Sequence, residues 1–300
     1  MKMTVIGAAG VRTPLIVKEC YRKAESLGLT DLFLMDIDGE HLELIDLVTE
    51  SLLKDVDTSK LKRTITTDPR VALQDADFVI TTFRVGGIEA RVTDERVPLS
   101  YGVLGQETTG AGGFSMGLRS IPVLLGYIDL MREYCPNAWL INFANPSGMM
   151  AEAAIKAGRW ERTIGICDAP TEVQRLVSQF FGIPEEDIFV DYFGLNHLGW
   201  TKSIRVHGQD ILPKIISELD TLPIKDMLPY STQVVKSLGM LPNEYLYYFY
   251  NSKSSVQNIL RSEQTRGEEI LEANTKFFRE TATIKGSPEK LLQRYTDYLE

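Results

Sequence analysis

Short apolar runs at residues 3–6 (MTVI), 32–35 (LFLM), 78–83 (FVITTF), 139–143 (WLINF) and 164–167 (IGIC) alternate with stretches whose apolar residues recur at helical spacing. Leu42, Ile45, Leu47 and Leu52 form one such stretch, and Ile121, Leu124, Leu125 and Ile128 another. No other feature limits the fold so strongly. Strands that alternate with helices point to one parallel sheet joined by right-handed crossovers, since a parallel return needs a connection long enough to hold a helix. After Phe181-Gly182-Ile183 the pattern changes. "DIFVDYFGLNHLGWTKSIRVHGQDI" reads as two extended runs with a turn between them, and "QDILPKIISELD" begins helical segments that continue to the end. The expected architecture is a Rossmann-type doubly wound parallel α/β domain over residues 1–183, followed by a second, α+β domain over 184–300.

Composition supplies the bounds this architecture needs. At 300 residues and 44% hydrophobic content the chain can bury a core in each of two domains. Lys and Arg number 32 against 41 Asp and Glu, giving a formal net charge of -9, and no basic stripe appears. Neither nucleic acid nor an anionic membrane is therefore an expected partner. The opening "MKMTVIG" meets glycine too soon for a signal-peptide core, and no unbroken apolar run approaches about 18 residues. A cytoplasmic location is expected. The 3 cysteines are an odd number at wide spacing, which argues for reduced thiols over a disulfide framework. Cys20 lies in helical register with Leu15, Ile16 and Tyr21 and reads as core; Cys135, before Pro136, reads as a helix-end thiol. Cys167 is different, since it closes an apolar run expected to be buried and stands beside Asp168.

The stretch "MTVIGAAGVRTP" is a strand, a glycine-containing loop and a helix beginning near Thr13-Pro14. That arrangement turns backbone N–H groups and a helix N-terminus toward a pyrophosphate, and proline suits the first helical turn. Gly7 matches the first glycine of G-x-G-x-x-G, while Ala9 and Arg12 occupy the other two positions. Gly7, Ala8, Ala9, Gly10, Val11 and Arg12 are thus the expected dinucleotide loop. Asp36, at the end of the second apolar run, is the expected partner of the ribose hydroxyls, with Asp38 as the competing residue.

Cys167 falls at the carboxyl end of an expected parallel strand, where doubly wound sheets place ligands. His197 follows in "GLNHLGW", at the turn between the two extended runs. A thiolate and an imidazole suit a divalent transition metal and leave positions open for substrate oxygens. Read by spacing alone, the cysteine could equally be a packed small hydrophobe and the histidine a hydrogen-bonded turn residue. His41 and His207 have no comparable setting and read as surface residues. "TTFRVGGIEARVTDE" presents Arg84 and Arg91 around Gly86-Gly87 as a clamp for an anion, or else as surface partners of Glu89, Asp94 or Glu95. "NFANPSG" offers the amides of Asn142 and Asn145 and a helix opening at Pro146. These clusters at strand ends are expected to converge on one crevice.

Taken together, "VIGAAGVRTP", "LMDID", "FRVGGIEAR", "GQETTGAGGFS", "NFANPSG", "GICDAP" and "YFGLNHLGW" resemble, in this order and spacing, the family 4 glycoside hydrolases, especially their 6-phospho-β-glucosidase subgroup. The resemblance covers nearly the whole chain, although the glycine loop departs from the family's more usual Gly-Gly-Gly-Ser. It implies a fold like that of lactate and malate dehydrogenases, with NAD and a divalent metal, usually Mn²⁺, as cofactors. The metal ligands it implies are Cys167 and His197. It further implies that Tyr245, in "NEYLYYFY", is the base, with Tyr247 the alternative, and that Glu107 and Asp168 assist the leaving group or the metal. Arg84 is implied beside the cofactor, and Arg91, Asn145, Asp168 and Arg266 beside a phosphorylated sugar. The implied reaction is hydrolysis of 6-phospho-glucosides, β-linked in the subgroup resembled. It runs through oxidation at C3, deprotonation at C2, elimination, water addition and re-reduction, outside the usual two-carboxylate scheme. A homo-oligomer is implied as well. Because relatives run considerably further than Glu300, the second domain is expected to be incomplete at its C-terminus. An NAD-dependent 2-hydroxy acid dehydrogenase and a non-catalytic dinucleotide sensor remain as alternatives that share the fold.

Overall fold

The strand-forming runs of the first half are β1 (Lys2–Ile6), β2 (Asp31–Met35), β3 (Lys62–Thr66), β4 (Phe78–Thr81), β5 (Trp139–Asn142) and β6 (Thr163–Gly165). Between them lie α1 (Thr13–Leu27), α2 (Gly39–Leu52), α3 (Pro69–Leu73), α4 (Gly87–Ser100), α5 (Gly110–Tyr134) and α6 (Ser147–Lys156). Then come α7 (Ala169–Phe181), β7 (Ile188–Leu195), β8 (Leu198–Val206), β9 (Gln209–Asp210), α8 (Leu212–Glu218), α9 (Thr232–Leu238), β10 (Leu241–Pro242), α10 (Tyr247–Tyr250) and α11 (Ser252–Arg261). The helices α12 (Arg266–Thr283) and α13 (Pro288–Leu299) close the chain. This computed structural model describes residues 1–222 and 228–300. The chain forms two compact units that draw on both sides of residue 183: Met1–Asp94, Ser115–Ile166 and Gln264–Glu300 in the first, Glu95–Phe114 and Cys167–Glu263 in the second.

In the first unit all strand pairs are parallel and the order is β3-β2-β1-β4-β5-β6. The order reverses between β1 and β4, the switch point at which doubly wound sheets bind ligands. Alternate residues of one strand enter different cores, as a sheet covered on both faces requires. Val5, Leu32 and Leu34 pack with Val17, Cys20, Tyr21 and Ala24 of α1, whereas Ile6, Val79 and Leu140 pack with Leu124, Ile128 and Met131 of α5. Those three α5 residues recur at helical spacing and are fully buried, so this helix, the one among the described residues long and apolar enough to cross a membrane, spends that face on the sheet. A third cluster joins Ile45 and Val48 of α2 to Phe277, Leu291 and Tyr295 of α12 and α13.

Two details differ from the sequence expectation. β3 (KRTIT) is an additional strand; it lies at the sheet edge, where lysine, arginine and threonine are tolerated and no apolar run is needed. The run at residues 164–167 is not buried, because β6 is the opposite edge, and Ile164 and Ile166 are 47% and 40% exposed.

The second unit is α+β. Its antiparallel sheet runs β10-β8-β7, with β9 also on β8. Ile188 and Ile204 of the hairpin pack with Val177 of α7, Leu212 and Ile215 of α8, and Val235 of α9. The β7–β8 turn is two residues long, Asn196-His197, and His197 takes a left-handed φ of +59°. The flanking Gly194 and Gly199 face each other in the ladder. A Cβ on Gly199 would stand 2.3 Å from the Tyr192 hydroxyl, so a side chain here would require the Tyr192 ring to move.

Candidate active-site residues

In the first unit the loop after β1 is tied down from three directions. The N–H groups of Gly7 and Ala8 both donate to the Met35 carbonyl at 2.9 and 3.0 Å, and the Ala9 N–H donates to Asp36 Oδ2 at 2.9 Å. Thr82 Oγ1, just past β4, donates to the Gly7 carbonyl at 2.8 Å. Gly7 has φ +92°, and a Cβ there would meet the Phe83 backbone nitrogen at 2.3 Å. Only glycine fits at this crossing. Gly10 has room by comparison, since a Cβ there would meet nothing nearer than the Gly7 carbonyl oxygen at 3.7 Å. Helix α1 opens without a side-chain cap, as a helix end kept for an anion would. Asp36 bonds Ala9 and, through Oδ1, the Asp38 N–H at 3.1 Å, so it holds the loop in shape. Asp38 is occupied as the cap of α2, accepting from the His41 N–H, while its other oxygen is 2.7 Å from His41 Nδ1. Val11 is braced by the buried Tyr295 hydroxyl, which donates to its carbonyl at 2.8 Å.

The expected anion residues of this unit have varied settings. Arg84 directs Nη1 to Met116 Sδ at 3.3 Å, and Arg91 is buried in α4. Asp94 is engaged elsewhere, in a two-pronged pair with Arg119 at 2.9 and 2.6 Å. Asn145 is half-buried at the entry to α6. Asn142 offers no donor outward, because its amide bonds the Ala144 carbonyl at 2.9 Å and its Oδ1 accepts from Thr81. Arg266 begins α12, largely exposed and paired with Glu269 at 2.9 Å. Charges of both Arg12 and Arg266 reach Tyr298, against the effect of its burial, which marks a basic neighbourhood at the end of the loop after β1.

In the second unit the sequence-distant Cys167, His197 and Tyr245 meet. Cys167 Sγ lies 3.5 Å from His197 Nε2, and the other ring nitrogen, Nδ1, lies 2.7 Å from Thr108 Oγ1. The Tyr245 ring lies flat on the imidazole, with centroids 3.5 Å apart and planes 3° from parallel. Tyr245 is set there by β10: Asn243, whose N–H donates to Gly199 of β8, accepts from the Tyr245 N–H at 2.9 Å. Tyr247 is used structurally, its hydroxyl accepting from Asn258 at 2.7 Å. Asp168 stands at the exposed start of α7, its Oδ1 3.5 Å from Cys167 Sγ, and Glu107 is buried.

The electrostatics follow from burial. Desolvation lowers the His197 pKa against the opposing charges of Glu107 and Asp168, which keeps the imidazole neutral at pH 7, as a ligand must be. Burial first, then Asp168, raises the Cys167 thiol, while the Ala169 N–H opposes the rise. Tyr245 is raised by burial and further by Glu107, Glu244, Cys167 and Asp168. Negative charge gathered around a half-buried sulfur and a buried nitrogen is a setting that a dication would relieve. The donor spacing also fits. Sulfur and nitrogen bound to one ion at about 2.3 and 2.1 Å, with a bond angle of about 90–110°, stand roughly 3.1–3.6 Å apart. Among the described residues no group of three or more His, Cys, Asp and Glu side chains forms a metal cage, so Cys167 and His197 would serve as a two-residue set.

The profile of the family 4 glycosyl hydrolases matches residues 2–183, and that of the family 4 glycosyl hydrolase C-terminal domain matches residues 192–298. The chain belongs to the family 4 glycosyl hydrolases. Within family 4 it is 36% identical over 265 residues to the 6-phospho-beta-glucosidase of Escherichia coli, a match covering 84% of this chain and 58% of that protein. It is 38% identical over 213 residues to 6-phospho-alpha-glucosidase 1 of Lacticaseibacillus paracasei, covering 70% and 48%. The 6-phospho-beta glucosidase of Thermotoga maritima, solved with manganese, NAD+ and glucose-6-phosphate, aligns with a TM-score of 0.85 at 31% identity over 99% of this chain and 72% of that one. The chain thus spans less than two thirds of the length of either curated relative. Lactate dehydrogenase from Eimeria maxima, at 18% identity and a TM-score of 0.54 over 84% of this chain and 74% of that one, shares the fold expected from the sequence.

In this family 4 member, three groups of side chains that shape these sites escape detection by sequence pattern. Thr108 and Gln106 lie inside "GQETTG" but carry no signal of their own. Asn243 and Tyr295 act through single hydrogen bonds across long sequence separations. Arg119 sits in an apolar helix, where its pairing with Asp94 could have been sought as the partner an otherwise costly charge requires.

Proposed function

We propose that this chain carries the NAD- and Mn²⁺-dependent chemistry of a hydrolase of 6-phospho-glucosides, with β-linked substrates preferred. The observation that carries the reading is the approach of Cys167 Sγ to His197 Nε2 at 3.5 Å under the stacked ring of Tyr245, on a family 4 fold. Family relatives act on both linkages; the "GQETTG" and "GLNHLGW" strings support the β reading. Cys167 and His197 would hold the metal, and the Gly7–Arg12 loop with Asp36 and Arg84 would hold NAD. When bound, the two cofactors supply a reversible hydride acceptor for sugar C3 and a Lewis acid for the sugar oxygens, so that the C2 proton becomes acidic.

The chain's own residues then have separate tasks. Tyr245 removes the C2 proton through its phenolic oxygen; burial first and the surrounding carboxylates second hold its own proton on, and a dication held by Cys167 and His197 would oppose both and favour the phenolate this step needs. Asp168 or Glu107 protonates the departing aglycone oxygen. Arg91, Asn145 and Arg266 bind the 6-phosphate, for which guanidinium groups are well matched. Stacking on His197 holds one face of the Tyr245 ring and so helps to orient the phenol.

The test is cleavage of 4-nitrophenyl β-glucoside 6-phosphate by the full chain with NAD⁺ and Mn²⁺ in D₂O. Deuterium at C2 of the product, no net accumulation of NADH and a kcat/KM at least about a hundredfold above that of the non-phosphorylated glucoside are expected. Tyr245→Phe should keep NAD binding while losing most C2 exchange. Product free of deuterium at C2 from an active enzyme would overturn the elimination route. A faster reaction with the α-linked 6-phosphate would reverse the linkage.

A further inference from the structure

We infer that Thr108 and Gln106 are positioning residues that lock His197 in the tautomer with its proton on Nδ1, so that Nε2 presents a bare lone pair toward Cys167. The inference rests on the reading of Cys167 and His197 as metal ligands. Proton bookkeeping among four heavy atoms carries it. The side-chain oxygen of Gln106 is fixed by the backbone: the N–H groups of Thr108 and Thr109 both donate to Oε1 at 2.7 Å. An amide nitrogen in that place would face two donors, so the amide cannot be reversed. Thr108 Oγ1 lies 3.0 Å from the same oxygen, which can only accept. The threonine hydroxyl therefore gives its one proton to Gln106. What remains on Thr108 Oγ1 is acceptor capacity, and 2.7 Å away is His197 Nδ1, which must then be the donor.

A neutral imidazole carries one N–H, so the proton on Nδ1 leaves Nε2 unprotonated, 3.5 Å from Cys167 Sγ. The opposite tautomer would set two oxygen lone pairs against each other across the 3.0 Å contact between Thr108 and Gln106. The loop is built to hold this arrangement. A Cβ on Gly105 would stand 1.9 Å from the Glu95 carbonyl oxygen, and one on Gly113 would stand 2.4 Å from the Thr108 carbonyl carbon. Two glycines thus let the chain at residue 105 pass close to α4 and the Thr108 backbone sit against the first turn of α5. Gln106 and His197 are both buried, and Thr108 between them is half-buried, which limits the access of bulk water to these bonds.

The chain has only 3 histidines, so nitrogen spectra of metal-free, ¹⁵N-labelled protein at about pH 8 can read each ring, with His197 assigned by its loss in His197→Asn. Wild type and Thr108→Ser are expected to show protonated Nδ1 and pyridine-like Nε2 at His197. Thr108→Val should lose that preference while the His41 and His207 signals stay in place, which reports that the fold is intact. By titration calorimetry the Mn²⁺ dissociation constant should rise about 10- to 100-fold in Thr108→Val and remain near the wild-type value in Thr108→Ser. Protonated Nε2 in the metal-free wild type overturns the inference, as does Thr108→Val with unchanged tautomer and unchanged affinity. A wild type that binds no Mn²⁺ overturns the metal reading instead, and the nitrogen spectra still decide the tautomer.

Discussion

At the residue scale the chain has three thiols in different settings, and the difference is testable. Cys20 and Cys135 are enclosed by apolar side chains, whereas Cys167 is half-buried beside His197 and Asp168. In chelator-stripped protein, saturating Mn²⁺ should raise the unfolding free energy by about 2–3 kcal/mol at a hundredfold excess over the dissociation constant. Cys167→Ser should remove most of that increment in a thermal-shift titration. Cys20→Ser should lower the baseline by about 1–3 kcal/mol, through a buried hydroxyl, and leave the metal increment intact. Equal increments in both variants would take Cys167 out of the site. The residue types of this pair were legible, because sulfur and imidazole at a strand end and a turn are an unusual combination. Their second partner was not. Thr108 is 89 positions from His197, and nothing in a threonine's neighbours in sequence tells which imidazole its hydroxyl will meet.

The element that most repays a closer test is the strand, loop and helix formed by β1, residues 7–12 and α1. Sequence spacing treats Gly7 and Gly10 alike as parts of one glycine loop, but space around them differs. A methyl group on Gly7 would overlap the backbone of Phe83, and the backbone there already has φ +92°. Gly7→Ala should cost on the order of 3 kcal/mol or more in urea unfolding and abolish NAD binding. Gly10→Ala should stay within about 1 kcal/mol of wild type and keep measurable NAD affinity. A mild Gly7→Ala would mean that the crossing of β1 and β4 can relax. Interior strands were legible from their apolar runs, since both faces of each are buried. The edges were harder to see: β3 has too few apolar residues to register as a strand, and the apolar β6 promised a burial that an edge position does not provide. Which edge a strand occupies is a property of the sheet order, and periodicity along one strand does not encode it.

For the whole molecule, stability should fall steeply in alkali. Burial pushes the Cys20 thiol up to about 11, with the charge of Glu19 adding to the rise; burial also pushes Cys135 up to about 11, with Lys2 opposing and Asp75 adding. In the unfolded chain these thiols ionise from their ordinary value of 9.0 upward while the folded chain still holds the protons. Stability is therefore complete below about pH 9 and declines as pH rises toward about 11, by roughly 2 kcal/mol per thiol at most. Chemical unfolding of Cys20→Ala/Cys135→Ala should give a lower plateau at neutral pH and a flatter decline across that window. An undiminished slope would assign the alkaline loss to other groups. The alternation of strands and helices made the first unit's sheet legible, and the hairpin made the second unit's. Nothing in residues 264–300 announces that they pack with the first unit, because an amphipathic helix advertises an apolar face without naming what will cover it. That packing carries a cost in time. The Val11 carbonyl accepts from Tyr295, 284 positions later, and a ribosome adding about 5–20 residues per second takes roughly 14–57 s to cover that distance. A nascent chain therefore carries the loop at residues 7–12 without its Tyr295 brace until residue 295 has been made, with residues 167–263 emerging in the interval.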